Sequence, residues 1–326
     1  MPGGTARFDD PRRAPFAHTP YDGSSKPFTV GLMPLDPNDW IEPDDRFAEQ
    51  MAEKDRLFAG AARAPVFLAE ADTHAAQAEV LEMLRSYLPQ RFPDLYERTA
   101  SGLRLTDTGR EIDLDATNDP PLKTAARLVQ EDLVLMRKGE DGYRLAAAAL
   151  CFPSSWSLAE KFGQSMTGIH EAVPGFNGAR MGQMVARIFD NLPVERPSWR
   201  LNWSLYSSPE LHQPHAKRID PQASDPNRVD RGALAGGAAE IPLFVRVERQ
   251  TLRRLPTSGD ILFTIKVHHD PVAAFARHPQ GAELAEGLRT QLEALDADQL
   301  AYKGLTGARE AIAALLRELA EIAARG

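Results

Sequence analysis

The stretch VRVERQTLRRLPTSGDILFTIKVHHDP, residues 245–271, decides the fold. Two runs in which apolar and polar residues alternate flank a short turn, Pro-Thr-Ser-Gly at 256–259. Because side chains on a strand alternate between its two faces, this pattern predicts an antiparallel β-hairpin. One face of the first strand carries Arg246, Glu248 and Gln250. Polar groups on a sheet face must contact either water or a ligand, so this face is the first place to look for a site.

The composition is that of a globular chain. Of 326 residues, 43% are hydrophobic, which is enough for a large core. Asp and Glu number 46 against 38 Lys and Arg, giving a net charge of -8, which argues against nucleic acid or an anionic membrane as a partner. The N-terminus lacks the apolar segment of a secretory signal, and no uncharged apolar run is long enough to cross a bilayer. We therefore expect neither export nor membrane insertion.

The chain has a single cysteine, Cys151. It therefore forms no intrachain disulfide and no zinc or iron–sulfur site built from several thiolates, and a reducing cytoplasm is the expected compartment. No G-x-G-x-x-G follows a predicted strand, so a dinucleotide-binding fingerprint is absent as well. Cys151 lies in the apolar run YRLAAAALCF, residues 143–152, which we predict to be a strand.

Further patterns predict the elements around the hairpin. Residues 1–45, rich in Pro, Gly and Asp, are expected to form an extended arm on a single domain that spans 46–326. Apolar spacing predicts helices within 45–96, where Pro89 ends the run, and at 122–135, 181–192, 283–295 and 308–324. We expect the apolar stripe of the helix at 181–192 to face the core.

The strand WRLNWSLY, 199–206, precedes a polar interval at 207–240 that predicts a long surface loop. A first strand, then helices, then three consecutive antiparallel strands predict an α+β fold with a sheet and helices gathered on one of its faces.

Several segments together resemble the haem-dependent oxidative N-demethylase family. They are CFPSSW at 151–156, KFGQSMTGIHEAVP at 161–174, RLNWSL at 200–205 and the hairpin, which is the most specific part. The resemblance covers roughly residues 25 to 300. In one place the chain departs from the family pattern, since Ala172 stands where a proline is expected.

The resemblance implies a PAS-like domain that binds haem b between an antiparallel sheet and helices. The implied activity is oxidation of an N-methyl group by dioxygen with release of formaldehyde. Small methylated amines such as dimethylamine are the implied substrates, and tetrahydrofolate is a possible acceptor of the formaldehyde. Electrons would come from a separate reductase subunit with a flavin and an iron–sulfur cluster, which agrees with the absence of both binding motifs from this chain.

Haem iron needs an axial ligand, and on this resemblance His170 is the first candidate. It follows a predicted helix on the segment that would cross the sheet, although a histidine there can instead cap the helix C-terminus. His268 and His269 alternate on one strand, so only one of them can face the site, and an exposed strand end is the simpler interpretation. Cys151 offers a thiolate ligand in principle, but its apolar run favours buried packing.

On the same resemblance Glu248 would hold the substrate ammonium or relay a proton, and Arg246 would contact a propionate or bound oxygen. The alternative is a charge ladder across two strands of a solvated face. Further candidates for cofactor contacts are Lys161, Asn202, Arg253 and Arg254. For each of these four, a surface or packing role is the alternative.

Two other functions remain open at this point. The same fold class can serve a haem-based or small-ligand sensor, and the polar strand face can also bind another protein in a scaffold subunit.

Overall fold

A computed structural model describes residues 15–24, 28–62, 64–116, 118–177, 180–219 and 243–325. The strands are β1 Met33–Pro34, β2 Phe67–Ala69, β3 Tyr96–Arg98, β4 Gly102–Leu105, β5 Arg110–Asp113, β6 Asp132–Gly139, β7 Gly142–Ala149, β8 Ser198–Tyr206, β9 Phe244–Arg254 and β10 Ile261–Pro271. The α-helices are α1 Phe47–Arg56, α2 His74–Arg91, α3 Pro121–Ala126, α4 Leu158–Lys161, α5 Met166–Ile169, α6 Arg180–Asn191, α7 Gly281–Glu293, α8 Ala297–Tyr302 and α9 Arg309–Arg325.

A seven-stranded antiparallel sheet organises the described residues, in the order β1-β8-β9-β10-β6-β7-β2. The predicted hairpin is confirmed: β9 and β10 pair over their whole length, from Phe244 opposite Pro271 to Arg254 opposite Ile261. β3, β4 and β5 form a small separate sheet. The mixed α+β class is confirmed as well.

Different elements pack against the two faces of the large sheet. Val245 and Val247 of β9 pack against the C-terminal helices, where Leu288 and Leu316 are fully buried. Helix α2 packs near the same side, against Leu262 of β10. The opposite face, which carries Glu248, is covered by the segment with the short helices α4 and α5 and by α6. The long helices therefore lie on one face, and the other is left to shorter, less regular elements.

The helix predicted at 122–135 is wrong in its second half. Only α3 is helical, and from Asp132 onward the chain forms β6, which pairs with both β7 and β10. Residues 133–136 are apolar and buried on both sides, so this run lacks the alternation that marks a strand, and the buried Asp132 precedes it. The strand predicted at 143–152 is confirmed as β7, although it ends at Ala149.

Helix α6 occurs where it was predicted, but its apolar stripe does not face the core throughout. Within α6 only Phe189 is buried, while 47% of Met184 is exposed and Met181 and Val185 are half-buried. Helix α2 also differs in detail, because it continues two residues past Pro89. The predicted helices at 283–295 and 308–324 are confirmed as α7 and α9.

The N-terminal segment contributes an edge to the sheet, since β1 pairs with β8. Three apolar residues of this segment are buried, namely Leu35, Trp40 and Ile41. Residues 1–14 lie outside the described residues, and the division into an arm and one domain stays a prediction. In the predicted loop, 207–219 contains neither helix nor strand, and 220–240 lies outside the described residues. None of the helices in the described ranges is both long enough and apolar enough to cross a bilayer.

Candidate functional site

One face of the large sheet brings polar residues of β8 and β9 together. Asn202 lies opposite Glu248, and Arg200 lies opposite Gln250. Residues opposite each other in an antiparallel pair point to the same face. We call the face formed by these four residues and Arg246 the polar face. It is the face that the segment with α4, α5 and α6 covers.

Glu248 is the most strongly held residue of the polar face. Its side chain is only 8% exposed, and its carboxylate accepts hydrogen bonds from three side chains. Ser154 Oγ donates to Oε1, while Gln250 Nε2 at 2.8 Å and Asn202 Nδ2 at 3.5 Å donate to Oε2. Neutral donors fix the orientation of a carboxylate without cancelling its charge. Glu248 can therefore attract a cation from a fixed position.

His170 lies at the C-terminal end of α5. Its Nδ1 is 2.9 Å from the carbonyl oxygen of Met166 in the same helix, and its ring stacks on Phe176 with 4.2 Å between centroids. A carbonyl can only accept, so in the neutral ring Nδ1 carries the proton and Nε2 carries the lone pair. Burial lowers the pKa of His170, and the charges of Arg200 and Lys161 act in the same direction. The ring thus caps the helix through Nδ1 and keeps Nε2 as a ligand atom.

Arg200 lies close enough to both Glu248 and His170 for their charges to interact, and the sequence patterns did not identify it as a candidate. Its Nε is buried without a hydrogen-bond partner among the described residues, and its Nη2 donates to the Thr29 carbonyl at 3.2 Å. Burial lowers the pKa of Arg200, and the charge of Glu248 opposes that effect. The charge of Arg200 also acts on His170. A usable signal existed, because Arg200 lies two residues before Asn202 and therefore on the same strand face.

Lys161 lies close enough to His170 for its charge to affect the histidine. Its Nζ donates weakly, at 3.4 Å, to the carbonyl of Gly168, and the side chain is half-buried. The structure therefore brings Lys161, His170 and Arg200 into one neighbourhood.

Arg253 was predicted to contact the cofactor, but the structure turns it away from Glu248 and the other residues of the polar face. Arg253 points to the opposite face of β9, where its guanidinium lies over the Trp40 ring at 4.7 Å. The physical reason is strand alternation, which separates Arg253 from Glu248 by an odd number of residues.

Arg254 is on the correct face, but it holds a helix in place. It donates to the carbonyls of Phe189 and Leu192, at and just beyond the end of α6, and to Gly259 in the hairpin turn at 2.8 Å. Its Nη2 also donates to Tyr143 Oη at 3.1 Å. In the structure, Arg254 therefore holds α6 against the sheet, where a contact with the cofactor was predicted.

Arg246 is fully buried and donates to three backbone carbonyls. These are Leu211 at 2.9 Å, Phe152 at 2.7 Å and Pro153 at 3.3 Å. Arg246 ties the 152–153 and 211 segments to the sheet next to Glu248 through these bonds. Its Nε is buried without a hydrogen-bond partner among the described residues, and the contact with a propionate or bound oxygen stays a prediction.

Two lysines from distant parts of the chain complete the surroundings of Glu248. Lys217 Nζ lies 3.7 Å from the centroid of the Tyr206 ring, and burial holds the pKa of Lys217 well below its usual value. Lys303 donates to the Trp203 carbonyl at 2.6 Å, and burial lowers its pKa to about 8 against a favourable effect of Glu248. Neither lysine lies in a recognisable motif, so only the fold could reveal them.

We expect Lys303→Met to remove a pH dependence of stability. Because a lysine side chain ordinarily has a pKa of 10.5 and Lys303 has a pKa of about 8 in the folded protein, the unfolded chain binds the extra proton between these values. The free energy of unfolding of the wild type should therefore rise between pH 8 and 10 by up to about 1.4 kcal/mol per unit relative to the variant. The charged groups that face Lys303, namely Glu248, Arg200 and Lys217, stay in place in the variant.

Urea unfolding of both proteins at pH 7.5, 8.5 and 9.5 checks this expectation. A difference in unfolding free energy that stays constant over the three pH values would show that Lys303 is protonated in the folded protein throughout.

The remaining ligand candidates have other surroundings. His268 and His269 were expected at an exposed strand end, but both are buried. Only His269, opposite Arg246, points to the polar face. Cys151 is fully buried in the apolar cluster beneath β7, and burial raises the pKa of its thiol, which disfavours a thiolate.

A family model described as haem-dependent oxidative N-demethylase, alpha subunit-like, matches residues 31–313. The chain belongs to this family. The match covers most of the chain, including His170 and the complete hairpin, and confirms the resemblance seen in the sequence. The description of this N-demethylase family refers to haem and to an alpha subunit.

The residues present fit a haem. His170 offers an imidazole Nε2 lone pair with Nδ1 held by a backbone carbonyl, an arrangement found in histidine-ligated metal sites. The buried, unpartnered Nε of Arg200 matches an anionic propionate. The apolar stripe of α6, left partly uncovered at Met184, matches the apolar surface of the macrocycle.

Proposed function

We propose that this chain is the haem-binding subunit of a monooxygenase that removes a methyl group from a small methylated amine, with release of formaldehyde. The observation that carries the proposal is the fixed position of the Glu248 carboxylate. It lies on the same sheet face as Arg200, and the charge of Arg200 acts on both Glu248 and His170. An anionic group that suits an ammonium, on the same sheet face as a residue that suits a haem propionate, supports this function.

His170 would hold the haem iron through Nε2, with Arg200 and Lys161 as partners of the propionates. Haem b, when bound, supplies the activation of dioxygen. The chain's own contribution is to orient the imidazole through Met166 and to exclude water with the segment that covers the polar face.

Glu248 is the proposed substrate-binding residue. A small methylated amine is a cation near neutral pH, and the carboxylate pairs with its N–H group. An amine is oxidised more readily once this proton has left, and Glu248 Oε1, whose one donor among the described residues is Ser154, can accept it. Asn202 and Gln250 keep the carboxylate in place, while Arg246 acts as a positioning residue behind it. Dimethylamine is the simplest substrate of this class.

We further propose a separate reductase subunit with a flavin and an iron–sulfur cluster as the electron donor. With one buried cysteine this chain cannot hold a four-cysteine cluster, and the description of its family refers to an alpha subunit. The assay of formaldehyde release described below also tests whether tetrahydrofolate accepts the formaldehyde. The single thiol is compatible with a reducing cytoplasm, where we propose that the protein works.

The strand order supports a PAS-like description of the domain. Its five central strands run β7-β6-β10-β9-β8, and the helices that cover the polar face lie between β7 and β8 in the chain.

The function is tested first by the absorption spectrum of protein expressed with haem supply, ferric and dithionite-reduced. We expect a Soret band in the wild type that is lost or shifted in His170→Ala and unchanged in His74→Ala, which alters an exposed histidine. Haem-loaded wild type should then release formaldehyde from dimethylamine when an electron donor is supplied. A folded wild type without a Soret band would refute the proposal, and a band unchanged in His170→Ala would remove His170 as the ligand.

A further inference from the structure

A second cluster of potential ligands lies on the sheet face opposite to Glu248. His18, Glu42 and His268 come from two places in the N-terminal segment and from β10, and one ligand atom of each lies within 4.8 Å of the others. His268 is 7% exposed, and the other two are half-buried. None of the three takes part in the site proposed for haem.

The distances within the cluster match those between ligands of one metal ion. His18 Nε2 lies 2.8 Å from Glu42 Oε1, and His268 Nε2 lies 3.3 Å from the same oxygen. In a tetrahedral zinc site with bonds of 2.0–2.1 Å, ligand atoms lie about 3.3 Å apart. Small movements of the three side chains would place one ion at an equal distance from the ligand atoms of His18, Glu42 and His268.

Hydrogen bonds within this cluster do not give every buried polar atom a partner. Both imidazoles direct Nε2 at one carboxylate oxygen, and His18 already occupies it with a hydrogen bond. The Nε2 of His268 is buried and makes no well-formed hydrogen bond to a described residue, since it meets Glu42 Oε1 only in an ion-pair contact at 3.3 Å. A buried polar atom without a partner is uncommon and calls for an explanation. A metal ion between the three atoms provides one.

Neighbouring residues hold the ligands in place from behind. Arg249 Nε lies 2.9 Å from Glu42 Oε2, which leaves Oε1 directed toward the two histidines. Asp44 Oδ2 lies 3.9 Å from His268 Nδ1, which is too far for a hydrogen bond but puts a negative charge near the imidazole. Lys266 Nζ pairs with the same Asp44 oxygen at 3.0 Å.

We propose that His18, Glu42 and His268 bind a divalent transition-metal ion, with zinc as the best match to two imidazoles and one carboxylate. Three protein ligands leave a fourth position for water. The ion joins the N-terminal segment to β10, on the side of the sheet away from the polar face. Because the ligands meet only in the folded chain, binding also stabilises the fold.

The test uses haem-loaded protein, dialysed against a chelator, then incubated with zinc chloride and freed of unbound metal. Elemental analysis should find about one zinc per chain in addition to haem iron, and the melting temperature should rise on zinc addition. Cobalt(II) in place of zinc should give visible absorption typical of a tetrahedral site. His18→Ala and Glu42→Gln should each weaken zinc binding at least about tenfold, and His74→Ala should leave it unchanged.

Wild type that retains no zinc, or His18→Ala that retains as much as wild type, overturns the proposal. Should Glu42→Gln fail to fold, His18→Ala still decides, because His18 is half-buried and its remaining contacts are with the rings of His268 and Trp199. The Soret band serves as an independent readout in each variant. It should persist when zinc binding is lost, so failure of this proposal is distinguishable from failure of the haem proposal.

Discussion

Glu248→Gln should lower kcat/KM for amine-dependent formaldehyde release by about 100-fold or more while the Soret band stays in place. Glutamine keeps the size of the side chain but removes the charge that pairs with the substrate ammonium and the oxygen that accepts its proton. The hydrogen bonds from Ser154, Asn202 and Gln250 also lose their charged acceptor. The measurement is formaldehyde production over a range of dimethylamine concentrations, with haem content matched between variants.

Two controls make this result interpretable. Glu318→Gln changes an exposed glutamate of α9 and should retain full activity. Glu248→Asp keeps the charge at a shorter reach and should recover part of the lost activity. Equal activity of Glu248→Gln and wild type would show that Glu248 neither binds the amine nor accepts a proton.

Arg246→Met should reduce the free energy of unfolding by about 3 to 5 kcal/mol, the cost typical of removing a buried charged group from its partners. Methionine retains the apolar stem, but the carbonyls of Phe152, Pro153 and Leu211 lose a donor in a buried environment. The fully buried carboxylate of Asp132, whose pKa is raised to about 6 by burial, also loses a favourable positive charge.

Urea unfolding followed by circular dichroism measures this effect. The matched control is Arg317→Met, which alters an exposed arginine of α9 and should change stability by less than about 0.5 kcal/mol. If Arg246→Met were as stable as the control, the three backbone hydrogen bonds would not be important for holding the segments beside Glu248.

The polar face illustrates how far local reasoning reaches. That Arg246, Glu248 and Gln250 share a face follows from the two-residue period of a strand, and the structure agrees. The same period, applied consistently, would have excluded Arg253 and included Arg200. The register that sets Asn202 opposite Glu248 depends on how β8 and β9 pair, which alternation alone does not specify.

Burial changed the meaning of residues whose position was predicted correctly. Arg246 and Arg254 lie on the expected face, but several of their N–H groups donate to backbone carbonyls of segments far away in the chain. The strand β6 was missed because a strand buried on both faces has no alternation. Helix α6 was predicted from a clear apolar stripe, but only packing shows that the stripe is partly uncovered.

Local sequence patterns were enough to predict the hairpin, the polar face of its first strand, the family resemblance and the candidates His170 and Glu248. Each of these depends on residues that are close together in the chain. Tertiary structure decided which arginines hold the backbone, where Arg200, Lys217 and Lys303 lie, and that His18 and Glu42 meet His268. The physical reason is that strand and helix periods are set by local backbone geometry. Contacts between distant segments depend on how whole elements pack, and no local pattern encodes them.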